Sequence, residues 1–502
     1  MTVDNSHKIK RVVIVGGGTA GWISAAALSK FLGNVVDIEL VESASIGTVG
    51  VGEATIPQLI RLNTTLGLDE CEFMRETKAT FKLGIEFSNW GKVGDSYLHT
   101  FGDVGINLSN LHFHQYWLRS IQQGAKTSLW DYSLHNTAAY QQRFAHLQKV
   151  GNTSMGGLAY AFHFDAGLYA KYLRKYSENA GVKRTEGKVV DVQLRPDNGF
   201  IRSIKLENGQ EIHGDMFIDC TGFRALLIGN TLGIGYENWS HWLPCNSAAA
   251  VASESTEPLL PYTKSTAHSS GWQWRIPLQH RTGNGHVYCD QFMSDDEAIK
   301  ILLNNLDAGK IGDPRVLRFV TGRREKFWHK NCVSIGLSSG FLEPLESTSI
   351  HLIQSNISQL IGLFPHRDFS PVDISEYNRQ AGEEYDLIRD FLILHYKQTQ
   401  RTDSDFWKYC RTMPIPDSLQ HKMDLFAESG RIVREPKDLF RDSSWVQVML
   451  GQGIIPKYHH PLADRITDEQ LKEFLANVKN IVDNTVNKLP THSDYLNQYC
   501  QT

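Results

Sequence analysis

The sequence has no Cys-x-x-Cys pair. Its seven cysteines, Cys71, Cys220, Cys245, Cys289, Cys332, Cys410 and Cys500, are scattered and odd in number. That excludes a disulfide framework and structural zinc, and makes a reducing cytoplasm the expected compartment. No run of 18 uncharged apolar residues occurs, so no membrane span is expected. Residues Met1 to Lys10 are polar, with no apolar run of signal-peptide type. Positive charge is not in excess either: 51 Lys and Arg face 55 Asp and Glu, a net charge of −4. Without a basic surplus to follow a phosphate backbone, nucleic acid is not an expected partner. Repeats and low-complexity tracts are also missing, which excludes solenoids and arrays.

What is present begins at Arg11. Residues 11–15 form a short β-branched apolar run, the pattern of a buried parallel strand. They lead into Gly16, Gly17, Gly18, Thr19, Ala20 and Gly21, followed by a helical apolar pattern from Trp22 to about Phe31. A second strand pattern over residues 36–41 ends at Glu42. This is a β-α-β unit with G-x-G-x-x-G at Gly16, Gly18 and Gly21. Gly16 permits the tight turn, Gly18 lets backbone approach a pyrophosphate, and Gly21 lets helix and strand pack closely. The helix N-terminus offers unpaired N–H groups to phosphate. Glu42 lies at the spacing expected of a carboxylate that holds ribose hydroxyls. The unit predicts a bound dinucleotide, FAD or NAD. A glycine-rich loop at residues 49–57 and strand-turn patterns at 216–223 and 332–341 would return to the same crevice, which suits a long cofactor. No second G-x-G-x-x-G motif is available for a nicotinamide.

Two further stretches are distinctive. Gly271, Trp272, Gln273, Trp274, Arg275, Ile276 and Pro277 place two tryptophans at i and i+2, on one face of a strand. Taken alone, such a pair reads as core. The other stretch is residues 80–85, Thr-Phe-Lys-Leu-Gly-Ile, with Lys82 at its centre. Together these resemble the flavin-dependent halogenases, relatives of the tryptophan halogenases. Residues 271–277 match the family's G-W-x-W-x-I-P, residues 16–22 its G-G-G-T-A-G-W, residues 51–55 its flavin strap, and residues 341–348 the segment beside its reaction site. Residues 162–166 and 219–220 resemble internal landmarks. The resemblance spans about residues 11–364, and the remainder more loosely.

The resemblance implies an enzyme that uses reduced FAD, oxygen and chloride or bromide to make hypohalous acid, and directs it onto an electron-rich arene such as indole. It implies FAD contacts at Gly17, Ala20, Ser43, Ile46, Val51, Ala54, Val189, Leu337 and Ile350, with Gly16, Gly18, Gly21 and Glu42 from the nucleotide motif. Lys82 and Glu346 take the catalytic positions, the backbone of Thr348 and Ser349 the halide site, and His99 and Phe101 substrate contacts. No metal is implied. Relatives commonly carry glycine where this chain has Ser349. A separate flavin reductase is the expected transient partner, and a homodimer the expected assembly. The rival readings are a flavin-dependent aromatic monooxygenase and a non-catalytic FAD-binding protein.

The expected fold is α/β: a doubly wound, Rossmann-like FAD module drawn from about residues 10–60, 155–235 and 315–365, interleaved with substrate-module inserts. A mainly helical C-terminal part, 366–502, is expected to pack on the substrate side, with helices over residues 373–396 and 468–487. Near its end, residues 439–456 look short and lack an adjacent tyrosine pair, which predicts a preference for simple indoles over free tryptophan.

Overall fold

A computed structural model describes residues 7–46 and 52–500. The β-branched run forms strand Arg11–Val15 at the centre of a six-stranded sheet. It pairs in parallel with Asp37–Glu42 on one side and Met216–Asp219 on the other. Lys183–Glu186 and Cys332–Ser334 extend the parallel set outward, and Trp328–His329 closes one edge as an antiparallel strand. Helix Thr19–Leu32 follows the glycine turn and packs between helices Ala166–Asn179 and Ser349–Gly362. The first strand is buried from Val12 to Val15, as its continuous apolar character requires.

A seven-stranded sheet stands beside it. Its order is Lys310–Arg318, Ser247–Ser253, Thr282–Tyr288, Gly271–Pro277, Thr263–His268, Gly84–Ser88 and Ser96–Thr100. A small antiparallel sheet joins the two regions: Ala161–Asp165 sits between Gly52–Ala54 and Thr80–Lys82. Residues 52–54 are therefore strand, where the sequence reads as a glycine-rich loop. Their pairing comes from a segment more than 100 residues away, which no local signal announces. Val51, an expected FAD contact, lies outside the described residues.

The C-terminal part is helical, with Pro371–Lys397, Asp405–Thr412, Asp417–Ser429, Asp442–Gly451, Asp468–Val486 and His492–Cys500. The two helices expected at 373–396 and 468–487 match within two residues. Thr467 opens the second with a reciprocal capping box to Gln470, so its start was visible in local chemistry. Among the described residues no helix is long and apolar enough to cross a membrane. All seven cysteines are free.

The nucleotide turn shows why its glycines are required. Gly16 has φ +115°, and a Cβ there would lie 2.2 Å from the carbonyl oxygen of Cys220. A Cβ on Gly21 would sit 1.8 Å from the carbonyl oxygen of Gly16, so the helix could not seat against the turn. Gly21→Ala is expected to cost about 1–3 kcal/mol through overpacking, read as an earlier midpoint in chemical denaturation.

Candidate active site

One cavity of about 410 Å³ runs from the glycine turn to the segment around Ser347. Gly16, Gly17, Gly18, Ala20, Glu42, Ser43, Ile46, Ala54, Val189, Leu337 and Ile350 all line it. Gly21 does not, because it packs against Gly16. The residues that line the cavity suit a dinucleotide. A Cβ on Gly18 would meet nothing within 4 Å, so the backbone there is open to an approaching pyrophosphate. Gly18 is also the N-cap of helix Thr19–Leu32 and has no side-chain cap, which leaves N–H groups for phosphate oxygens. Glu42 accepts from Arg184 Nε and, at 3.4 Å, from Trp22 Nε1, which fixes its carboxylate at the cavity wall. Glu53 also lines the cavity, and burial lifts its carboxyl to about 7.

The tryptophan pair belongs to the same cavity. Trp272 and Trp274 both line it, with ring centroids 6.1 Å apart, as the i, i+2 spacing on a strand dictates. Trp272 Nε1 donates to Glu343 Oε2 at 3.1 Å, and the Tyr396 hydroxyl donates to the same oxygen. Burial raises the Glu343 carboxyl to about 7.

Lys82 lies at the end of strand Thr80–Lys82. Strand alternation sends Phe81 to one side, stacked on Phe144 at 4.1 Å, and sends Thr80 and Lys82 to the other. Thr80 is tied to Pro277 and His163. The Lys82 amine is fully buried. It donates to the Thr55 carbonyl at 2.9 Å and to Ser347 Oγ at 2.8 Å, and it stands 5.3 Å from the Phe101 ring centroid. Burial brings its pKa down to about 7, against the opposing pull of the Glu346 carboxylate. Ser347 lines the cavity, so the lysine touches a residue of the cavity wall directly.

Glu346 is also buried, and it faces two histidines. His99 Nδ1 is 2.9 Å from Oε2, and His395 Nε2 is 2.8 Å from Oε1. Burial alone would raise this carboxyl; the charge and hydrogen bonds of His99 and His395 outweigh it and hold the group at about 2. His99 therefore spends one ring nitrogen on Glu346, while its Nε2 is buried with no protein partner. Phe101 is brought to the same site through its proximity to Lys82.

Thr348 and Ser349 open helix Ser349–Gly362 with no side-chain cap. Thr348 is buried and its Oγ1 has no protein partner. The left-handed position of this segment is Ser347, at φ +58°; Ser349 is the first helical residue. The serine at 349 thus stands in ordinary helical backbone geometry. Three participants had no distinguishing pattern in the sequence: His395 lies inside a long helix, Thr55 contributes only a carbonyl, and Ser347 is one serine among many. Glu343 was within reach, since it precedes Glu346 by one turn's spacing.

A family model for tryptophan halogenases matches residues 11–468. The chain is 34% identical to tryptophan 6-halogenase ThaL of Streptomyces albogriseolus, over 98% of this chain and 99% of that one. It is 32% identical to tryptophan 7-halogenase RebH of Lentzea aerocolonigenes, with the same coverage. Among solved structures, Xcc4156, a flavin-dependent halogenase from Xanthomonas campestris, aligns with a TM-score of 0.95 at 50% identity, covering 98% of this chain and 99% of that chain. BrvH, a flavin-dependent halogenase from Brevundimonas sp. BAL3, aligns with a TM-score of 0.94 at 42% identity and the same coverage. With a dinucleotide cavity that ends against a buried lysine, and with these likenesses over nearly its full length, the chain belongs to the family of flavin-dependent tryptophan halogenases, enzymes that use FAD and a halide.

Proposed function

We propose that this halogenase acts on indoles and similarly electron-rich small arenes, with Lys82 directing the halogenating species and Glu346 receiving the ring proton. The observation that carries the reading is the Lys82 amine: fully buried, bonded to Ser347 at the cavity wall, and beside Glu346 on the next residue. When held by the cavity residues, reduced FAD would supply the chemistry that turns oxygen and halide into hypohalous acid. Gly16, Gly17, Gly18, Ala20, Ser43, Ile46, Ala54, Val189, Leu337 and Ile350 would hold the cofactor, and Val51 is assigned with them from the family motif. Glu42 suits the ribose hydroxyls. The uncapped helix start at Thr348 and Ser349 suits a halide, through N–H groups and the positive end of the helix dipole.

A lysine held near neutrality serves either form of the directing step. As an ammonium it donates to the oxygen of hypohalous acid and polarises the O–halogen bond; as an amine it takes the halogen to form a haloamine. When the carbon–halogen bond forms, the bond from halogen to oxygen or nitrogen breaks and the ring loses a proton. Glu346 is ionised and available to accept it. His99 and Phe101 form the aromatic side of this space, where a flat ring would be oriented and water excluded.

The C-terminal segment supports a simple arene over an amino acid. Its acids are already engaged: Asp438 by Lys422 at 2.9 Å, Asp442 by Arg434 at 2.8 Å. Helix Asp442–Gly451 buries Trp445 and ties Gln447 to the Thr100 backbone at 3.0 Å. A substrate α-ammonium would have to break an existing pair to find a counter-charge here.

Three outcomes are expected. Lys82→Ala should retain flavin binding, followed by fluorescence, and lose at least about a hundredfold in brominated product by mass spectrometry; undiminished bromination would end the assignment. Initial rates on indole should exceed those on tryptophan, and clearly faster tryptophan turnover would overturn the substrate class. Purified enzyme given FAD and NADH without a reductase should show no steady conversion, whereas adding a flavin reductase should start it.

A further inference from the structure

Helix Pro371–Lys397 delivers one imidazole into the reaction site, and its bonding constrains where protons sit. His395 is fully buried. Its Nδ1 lies 2.9 Å from the carbonyl oxygen of Phe391, one turn earlier in the same helix. A carbonyl only accepts, so Nδ1 carries hydrogen. Its Nε2 lies 2.8 Å from Glu346 Oε1. That nitrogen is within ion-pair distance of the carboxylate and has no other protein partner. On the other side His99 needs only its Nδ1 hydrogen to satisfy Glu346.

The consequence falls on Lys82. An ammonium and a carboxylate buried in one site would ordinarily close on each other, because neither is solvated there. Here the amine donates to Thr55 and Ser347, while both carboxylate oxygens are turned to the histidines. The histidine backbone position is also fixed: the His395 carbonyl accepts from Gln452 Nε2 at 3.1 Å, and its ring packs on Phe87 at 4.8 Å.

We infer that His395 is a positioning residue that holds the Glu346 carboxylate away from Lys82, keeping the amine free of an anionic partner and the carboxylate free for the ring proton. The inference rests on the roles proposed above for Lys82 and Glu346. The titratable groups facing this unit are His99 and Tyr97 from strand Ser96–Thr100, Lys82 from strand Thr80–Lys82, and His163 behind the lysine. Of these, Lys82 is the cation that a released carboxylate would join.

Two conservative variants separate the contacts. Asparagine places its amide where Nδ1 sits and does not reach Glu346; glutamine places an N–H near Nε2 and does. The flavin-free protein, labelled with 13C-lysine, gives the Lys82 titration directly, with Lys82→Ala identifying the resonance. Wild type should titrate near 7, His395→Asn about one unit higher, and His395→Gln close to wild type. The kcat profile, measured with reduced FAD supplied, should move to alkaline pH in His395→Asn whichever form of the lysine reacts, because pairing with a carboxylate raises the amine pKa. An unchanged Lys82 midpoint in a folded His395→Asn variant would overturn the inference, as would an equal shift in both variants. If Lys82→Ala halogenates like wild type, the catalytic reading of Lys82 falls instead, and the titration still reports on His395.

Discussion

Everything in this active site depends on a lysine ammonium placed where water does not reach. Removing such a charge from water carries an effective cost of several kcal/mol, and the protein offsets it in part with a carbonyl, a hydroxyl and an aromatic face, from Thr55, Ser347 and Phe101, and with the nearby Glu346 carboxylate. That incomplete compensation is why the amine is held near neutrality. The rest of the site follows from it. Glu346 supplies negative charge nearby without direct contact, and its two oxygens face His99 and His395. The amine is left without a direct ion-pair partner, donating to neutral groups alone.

The cofactor end follows a different logic. It is made by backbone, and its constraints are steric. Gly16 and Gly21 are required because a methyl group at either would collide with a carbonyl oxygen, while Gly18 is needed for the opposite reason, the open space in front of it. The two tryptophans of strand Gly271–Pro277 form part of the cavity wall, and Glu343 with Tyr396 holds the first of them in place. Glu343 and Glu346 thus belong to one short segment and are met by two consecutive residues of one helix, Tyr396 and His395. One carboxyl braces the wall and the other faces His99 and His395.

Much of this was readable from the chain. The first strand, the glycine turn, Glu42 and the helix over residues 468–486 are set by local rules of periodicity and glycine geometry, and they appear where those rules put them. Lys82, Glu346 and the tryptophan pair came from resemblance, since a lysine in an apolar run has no periodic signature of its own. Residues 52–54 read as loop because their strand partner lies far along the chain. His395 escaped notice for a similar reason. It occupies a helix whose apolar spacing explains it fully as a core residue, and only the tertiary packing of that helix brings its ring to Glu346.

The three-stranded antiparallel sheet has a mechanical consequence. Its middle strand, Ala161–Asp165, is bonded on one edge to Gly52–Ala54, at the cofactor cavity, and on the other to Thr80–Lys82. The two outer strands are each bonded to the same middle strand, and Ala54 and Thr80 both pair with His163. Thr55, just beyond the first, also accepts the lysine's proton-bearing nitrogen. The cavity wall at residues 52–54 and the strand that carries Lys82 are thus tied together by backbone pairing through a common strand, so their spacing follows from peptide geometry.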